Sequence, residues 1–380
     1  MLPALVLLAL ALFAGALLAA PLTGRPAYLH LMLAAGAMPL IFAAMIHFIP
    51  VLTRTREAGG SWIVFPLLAI AGGMLATASL AFPAWAWGRN AGALLALSVA
   101  AGLLLWSRRR RMRAVGSAHP CLAWYEAALA CLALALLLIF SASIWPQYWP
   151  EFRRLHLHLN TLGFIGMTAV ATLAVLMPTA AGRPDPAAGP YLRANLPWVL
   201  GGTLLVAAGA AWHGLASLLG AALWAVALIR LGAGWLRLHG KEIFAWHGAA
   251  PSLATALSGL FISLSMGVLA AFAPARGWPA FDPVAAFVAG FLFPLVTGAA
   301  TQLLPVWIKP GVQGEWHVVL RQSLGRHAGL RAILFLSGAM VAGSGRGCGL
   351  LLGLSALLWF LFQAMYFLAQ ATFIKGEHAS

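Results

Sequence analysis

Charge is what this 380-residue chain lacks. Asp, Glu, Lys and Arg make up 8% of it, where a soluble globular domain carries roughly 25%. A surface so poor in ionised side chains cannot face water throughout. Carboxylates are scarcest, eight in all, and Glu126 alone falls inside an apolar run. A proton-coupled transporter normally needs carboxylates near the membrane midplane, so that class is poorly served. Cysteine is scarce too. Cys121, Cys131 and Cys348 show no C-x-x-C or zinc spacing, and the first two share one apolar run, where they read as small apolar residues. No nucleotide-binding loop or Ser-His-Asp pattern is found. The formal net charge of +15 does not point to nucleic acid. Its arginines lie between apolar runs rather than interleaved with aromatics on a polar face, and membrane topology accounts for them.

What is abundant is apolar length. Hydrophobic residues make up 62% of the chain, in repeated runs of about 20 residues, long enough to cross a ~30 Å hydrocarbon core. The expected fold is all-α, a polytopic membrane protein whose partner is the lipid bilayer. Twelve spans are read near 2–20, 29–52, 62–82, 91–106, 121–143, 156–179, 196–213, 215–230, 250–272, 284–307, 329–343 and 347–370. The eleventh is the weakest, and the eighth is tightly joined to the seventh. The opening MLPALVLLALALFAGALLAAPL ends like a signal peptide but lacks a basic n-region, so it reads as the first span. With both termini cytoplasmic, as expected of a bacterial-type inner-membrane protein, 17 Lys and Arg fall in inner segments and 6 in outer ones. The run SRRRRMR at 107–113 is the strongest anchor.

Three spans align. The second runs HLMLAAGAMPLIFAAMIHFIPVLTR from His30 to Pro50 and Arg54. The sixth runs HLNTLGFIGMTAVATLAVLMPTAAGR from His158 to Pro178 and Arg183. The tenth runs AAFVAGFLFPLVTGAATQLLPVWIK from Ala285 to Pro305 and Lys309. The first residue precedes the proline by 20 positions each time, and the starts are 128 and 127 residues apart. Proline near a basic cytoplasmic end is common, but an equal period is not set by span chemistry. The spacing predicts three repeats of four helices, about 1–110, 111–240 and 241–380, with spans two, six and ten equivalent and interior.

Twenty residues of helix rise about 30 Å, so His30 and His158 lie at the outer face of their spans. His213, ending span seven, joins them there, as does His156. Imidazole is the commonest metal ligand and an axial ligand of haem, and polar groups inside membranes usually face the bundle. These four are the candidate ligands, with His47, 17 residues past His30 and near the inner surface, a weaker fifth. The bland alternative is a set of interfacial caps. Residues two apart on a helix point about 200° apart. His156 and His158 therefore share one metal only if their turn is extended, and otherwise serve different sites. His119, His239, His247, His317, His327 and His378 lie in or beside inner segments and are expected to be solvated. Gln302, Gln363, Thr297 and Thr301 are expected to bond between helices.

His30 with Gly36 and HFIPVLTR in span two, and HLHLNTLGFIGMTAVATLAVLMPTAAGR in span six, resemble the NnrS family and, through the three four-helix repeats, subunit I of haem-copper oxidases. The resemblance implies haem b or copper held through His30 and His158, assisted by His156 and His213. It also implies a respiratory or nitric-oxide-related redox role, a small diatomic ligand (NO or O2), and a respiratory-chain or cytochrome partner. Span ten carries no histidine, span seven only His213, and Leu31 and Met32 stand where the NnrS motif has an acid. A reduced set, one haem or one copper, is therefore implied, not a full oxygen reductase. Two other classes stay open: a copper or haem transporter or assembly factor using the same histidines, and a structural subunit without cofactor.

Overall fold

A computed structural model describes residues 1–277 and 279–377, with the side chains of 274, 275 and 371–377 not described; His378 lies outside the described residues. The protein is a multi-pass, all-helical membrane protein. Eleven helices are long and apolar enough to span a bilayer: α1 (Leu2–Thr23), α2 (Arg25–Thr53), α3 (Gly60–Ala81), α4 (Gly88–Met112), α5 (Cys121–Ile144), α6 (Pro146–Ala180), α7 (Ala188–Ala211), α8 (Gly214–Ile243), α9 (Ala250–Ala273), α10 (Pro283–Ile308) and, after two shorter helices, α13 (Cys348–Gln370). The shorter ones are α11 (Glu315–Leu324) and α12 (Ala328–Gly343). With 16 residues, α12 rises about 24 Å, less than the ~30 Å core, which is why the eleventh span reads weakly. The chain divides into two compact units, Met1–Val175 with Asp185–Leu231, and Leu176–Pro184 with the chain from Gly232 onward.

Several helices outrun their apolar stretch. The arginine run is the last turn of α4, not a loop, and its cations sit favourably at the negative end of the helix dipole. Helix α8 continues to Ile243, with non-helical backbone at His239. Tryptophans 85, 87, 145, 149 and 212 are exposed at the α3–α4, α5–α6 and α7–α8 connections, as amphipathic rings are at a membrane boundary.

Helices α2, α6 and α10 are the most buried. In their most apolar stretches 56%, 83% and 83% of residues are buried, against 44% or less in every other span. Each also widens from α- to π-helix towards its N-terminal end, at Leu31–Ala37, Leu159–Gly166 and Val288–Leu292. Such widened turns recur at functional sites. Each π segment carries a glycine where another helix crowds in. A Cβ would lie 2.9 Å from the Phe13 ring at Gly36, 2.7 Å from Cys131 Cβ at Gly163 and 2.5 Å from Ala339 Cβ at Gly290. At their C-terminal ends α2 and α6 close alike. Thr55 N–H donates to Pro50 O and Arg183 N–H to Pro178 O, over a left-handed residue, Arg54 (φ 52) and Gly182 (φ 66), the geometry of a Schellman stop.

The hairpins that follow share a device. Gly72 of α3 faces Gly92 of α4, Gly202 of α7 faces Gly220 of α8, and Gly338 of α12 faces Gly349 of α13. At each of these six glycines a Cβ would come within 2.9 Å of the partner's carbonyl oxygen. Small residues let backbones approach where lipid offers no hydrophobic drive between helices.

Polar groups in these helices are mostly paired locally. Glu126, the carboxylate inside α5, accepts from Ser107 Oγ (3.0 Å) and pairs with Arg111 (2.6 Å). Thr297 and Thr301 differ from expectation, because their hydroxyls bond carbonyls of their own helix, Phe293 O and Thr297 O, as threonines in apolar helices can. Gln363 does bond between helices, to Arg331 and to the carbonyl of Ser323. Arg331, expected in an inner loop, is fully buried in α12.

Candidate functional site

The first six residues of α2 are α-helical, and His30 ends that segment one residue before the π turn. His156 and His158 occupy the same place in α6, in the last α-helical turn before its π segment. The turn is helical, not extended, so the two side chains diverge as the 3.6-residue period requires. His156 is the one that meets His30. Their rings are 6.3 Å apart between centroids and parallel to within 7°. His158 makes no hydrogen bond among the described residues and no ring contact with His30. His30 and His158 thus each end an α-helical segment at a π turn, but the facing pair is His30 with His156.

The proton on each ring is fixed by its partner. His30 Nδ1 lies 2.8 Å from Pro26 O, one turn earlier on α2. His156 Nδ1 lies 2.9 Å from Ala135 O on α5. A carbonyl oxygen only accepts, so both Nδ1 atoms carry the hydrogen, and in the neutral ring the lone pair is left on Nε2. Carbonyl-held Nδ1–H is the usual outer-shell arrangement of a ligating histidine. Asn160 Nδ2 donates to His156 O at 2.7 Å. Its 3.3 Å approach to His156 Nδ1 is not a bond, because that nitrogen is itself a donor. Asn160 thereby adds a second donor to a carbonyl in the last α-helical turn and fixes the backbone that carries His156. The sequence held this signal, a polar residue four positions after His156, but not the Ala135 carbonyl, which tertiary packing alone brings in.

Two neutral rings with lone pairs on Nε2 cannot hydrogen-bond each other, and at 6.3 Å they are beyond stacking contact. A metal about 2 Å from each imidazole nitrogen would separate two ring centres by about 6 Å. All three histidines are half-buried. Among the described residues no third His, Cys, Asp or Glu gathers with them into a metal-holding group.

The remaining candidates lie apart. His213 is exposed in the turn between α7 and α8, where its backbone closes both helices. His47 is exposed and packs edge-on to Phe48. Two inner histidines expected in solvent are buried instead, His239 at 1% and His317 at 3% exposure. His317 earns its burial by capping α11, accepting Gly314 N–H at Nδ1 (3.1 Å) and donating from Nε2 to Lys309 O (2.8 Å). His119 and His327 are half-buried, and His247 is exposed as expected.

Comparison with family models, with curated proteins and with solved structures returns no match to this chain.

Proposed function

We propose that the chain is a membrane redox protein of the haem-copper oxidase/NnrS kind, built from three four-helix repeats, that holds haem b between His30 and His156. The parallel pair 6.3 Å apart carries this reading. The donor set fits, because neutral imidazoles are protein ligands that haem takes, and His30 and His156 supply two. Bound there, haem would supply one-electron redox chemistry. The residues' part is to present two neutral imidazoles whose Nδ1–H bonds to Pro26 O and Ala135 O fix ring orientation and raise ligand basicity. His158 and His213 fall outside the ligand set. Held by His30 and His156, the group would exchange electrons, so the pair favours a respiratory-chain or cytochrome partner.

The repeat reading is supported by the registered π segments, the matching stops of α2 and α6, and the three glycine-paired hairpins. The 17-to-6 distribution of Lys and Arg supports an inner-membrane protein with both termini cytoplasmic. Copper handling is the second reading, favoured by the lack of a third ligand among the described residues, since a transiently held ion needs few.

The test is an absorption spectrum with metal analysis of protein purified from haem-replete cells. Haem at about one per chain, lost in both His30→Ala and His156→Ala, is expected. Copper without haem would select the second reading. Neither cofactor, or full haem content in both variants, would defeat the proposal.

A further inference from the structure

The second compact unit holds a cavity of about 370 Å³, within the ~300–1,000 Å³ range of small-ligand sites. Its walls come from α8, the loop after it, α9 and α12, and include Trp235, Leu236, Phe244, Trp246, Thr255 and Ile333. The lining is mostly apolar, yet two of its buried polar groups have no partner among the described residues. Trp235 is 1% exposed and its Nε1–H meets no acceptor among the described residues. The two other fully buried tryptophans spend theirs, Trp124 on Leu192 O at 2.9 Å and Trp224 on Thr203 Oγ1 at 3.0 Å. Thr255 is buried and its hydroxyl makes no hydrogen bond among the described residues either. A buried N–H left without an acceptor is costly, and here it borders open space.

The space has a sequence origin. At a 127-residue interval, Pro251 and Ser252 stand where Trp124 and Tyr125 stand. Trp124 and Tyr125 are buried in the core of α5, whereas Pro251 lines the cavity. Leu236, Phe244, Trp246 and Ile333 are about half exposed or more, so the cavity is bordered by apolar surface of the kind that meets lipid. Charge then selects among lipids. Arg237 and Lys241 are exposed on the same stretch of α8 as Leu236 and Ile243, and neither forms an ion pair among the described residues. The nearby carboxylate, Glu242, is already held by Arg183 at 2.6 and 2.7 Å.

We propose that this cavity is a specific site for an anionic phospholipid, one acyl chain filling the apolar cleft, Trp235 Nε1–H and the Thr255 hydroxyl serving its ester oxygens, and Arg237 and Lys241 receiving the phosphate. Basic pockets between membrane helices are recognised lipid sites. The inference is independent of the histidine pair.

The test is native mass spectrometry of the whole protein after delipidation and re-exposure to phosphatidylglycerol or phosphatidylcholine. The unmodified protein should retain one phosphatidylglycerol per chain, with about tenfold preference over phosphatidylcholine. Arg237→Gln with Lys241→Gln, both on the surface, should bring the preference to near parity. Ala332→Trp, which fills the cavity, should lose the lipid altogether. Equal retention of both lipids by the unmodified protein overturns the proposal, and so does an undiminished preference in the double variant, whether or not the Trp variant folds.

Discussion

His156 donates from Nδ1 to the carbonyl of Ala135 at 2.9 Å, across from α6 to α5. That bond decides which of the two neighbouring histidines faces His30. It holds the His156 ring parallel to that of His30, while His158, on the other side of the same turn, has no such tether. On the ligand reading, His158→Ala therefore keeps the cofactor content of the unmodified protein within about twofold, and His156→Ala loses it. A pyridine haemochromogen assay on both purified variants checks this. Loss in His158→Ala with retention in His156→Ala would reverse the assignment.

Much of this fold is legible in the sequence, because spans are set by apolar length. The high burial of α2, α6 and α10 coincides with their shared His/Ala-to-Pro register. The ligand pair is legible only as a set of candidates. His30 and His158 align by repeat, yet facing depends on helical phase and on the α5 backbone, neither of which the register carries. His239 and His317 illustrate the same limit. Their segments look cytoplasmic, but His317 is drawn in by the unsatisfied N–H groups of a short helix, a partner that appears only once Gly314 and Lys309 are folded around it.

The glycine-paired hairpins predict opposite outcomes at one glycine of α8 and one of α7. A Cβ on Gly220 would lie 2.5 Å from Gly202 O and 2.7 Å from Val206 N, whereas a Cβ on Gly201 meets nothing within 4 Å. Gly220→Ala must push two backbones apart, at a cost of about 1–3 kcal/mol or more. Gly201→Ala only removes chain freedom and gains about 0.5–1 kcal/mol. Thermal unfolding in detergent should place the two midpoints on opposite sides of the unmodified protein. Equal midpoints would mean the hairpin is looser than its geometry.

Among the described residues, Arg331 is buried without a carboxylate partner. Its guanidinium instead donates to Arg326 O (2.7 Å), Leu324 O (3.0 Å) and Gln363 Oε1 (2.8 Å) and lies over the Phe360 ring at 5.3 Å. The first two are carbonyls at and beyond the end of α11, where unsatisfied acceptors and the negative end of the dipole take the place of an acid. Arg331→Met should cost about 2–3 kcal/mol by stranding buried acceptors. Arg331→Lys should recover only part, since an ammonium cannot reproduce the planar fork. Thermal midpoints of the two variants measure this, and a Met variant as stable as the parent would remove the clamp role.

His119 lies in the connection between α4 and α5 and accepts the backbone N–H of Cys121 at Nδ1 (3.2 Å), tying down the start of α5. Burial, and then the positive charge of Arg193, hold its pKa below the ordinary value of 6.5. The unfolded chain therefore binds this proton more readily than the folded one, and stability rises with pH across the interval between the two pKa values. The contribution is fully present above the unfolded value and is lost as pH falls from there through the lower folded pKa, where protonation also removes the acceptor from Cys121 N–H. His119→Asn keeps an acceptor able to bond two residues on but does not titrate. Between pH 7.5 and pH 5, the thermal midpoint of the unmodified protein should fall further than that of His119→Asn. Parallel pH profiles for the two proteins would show that His119 does not govern acid stability.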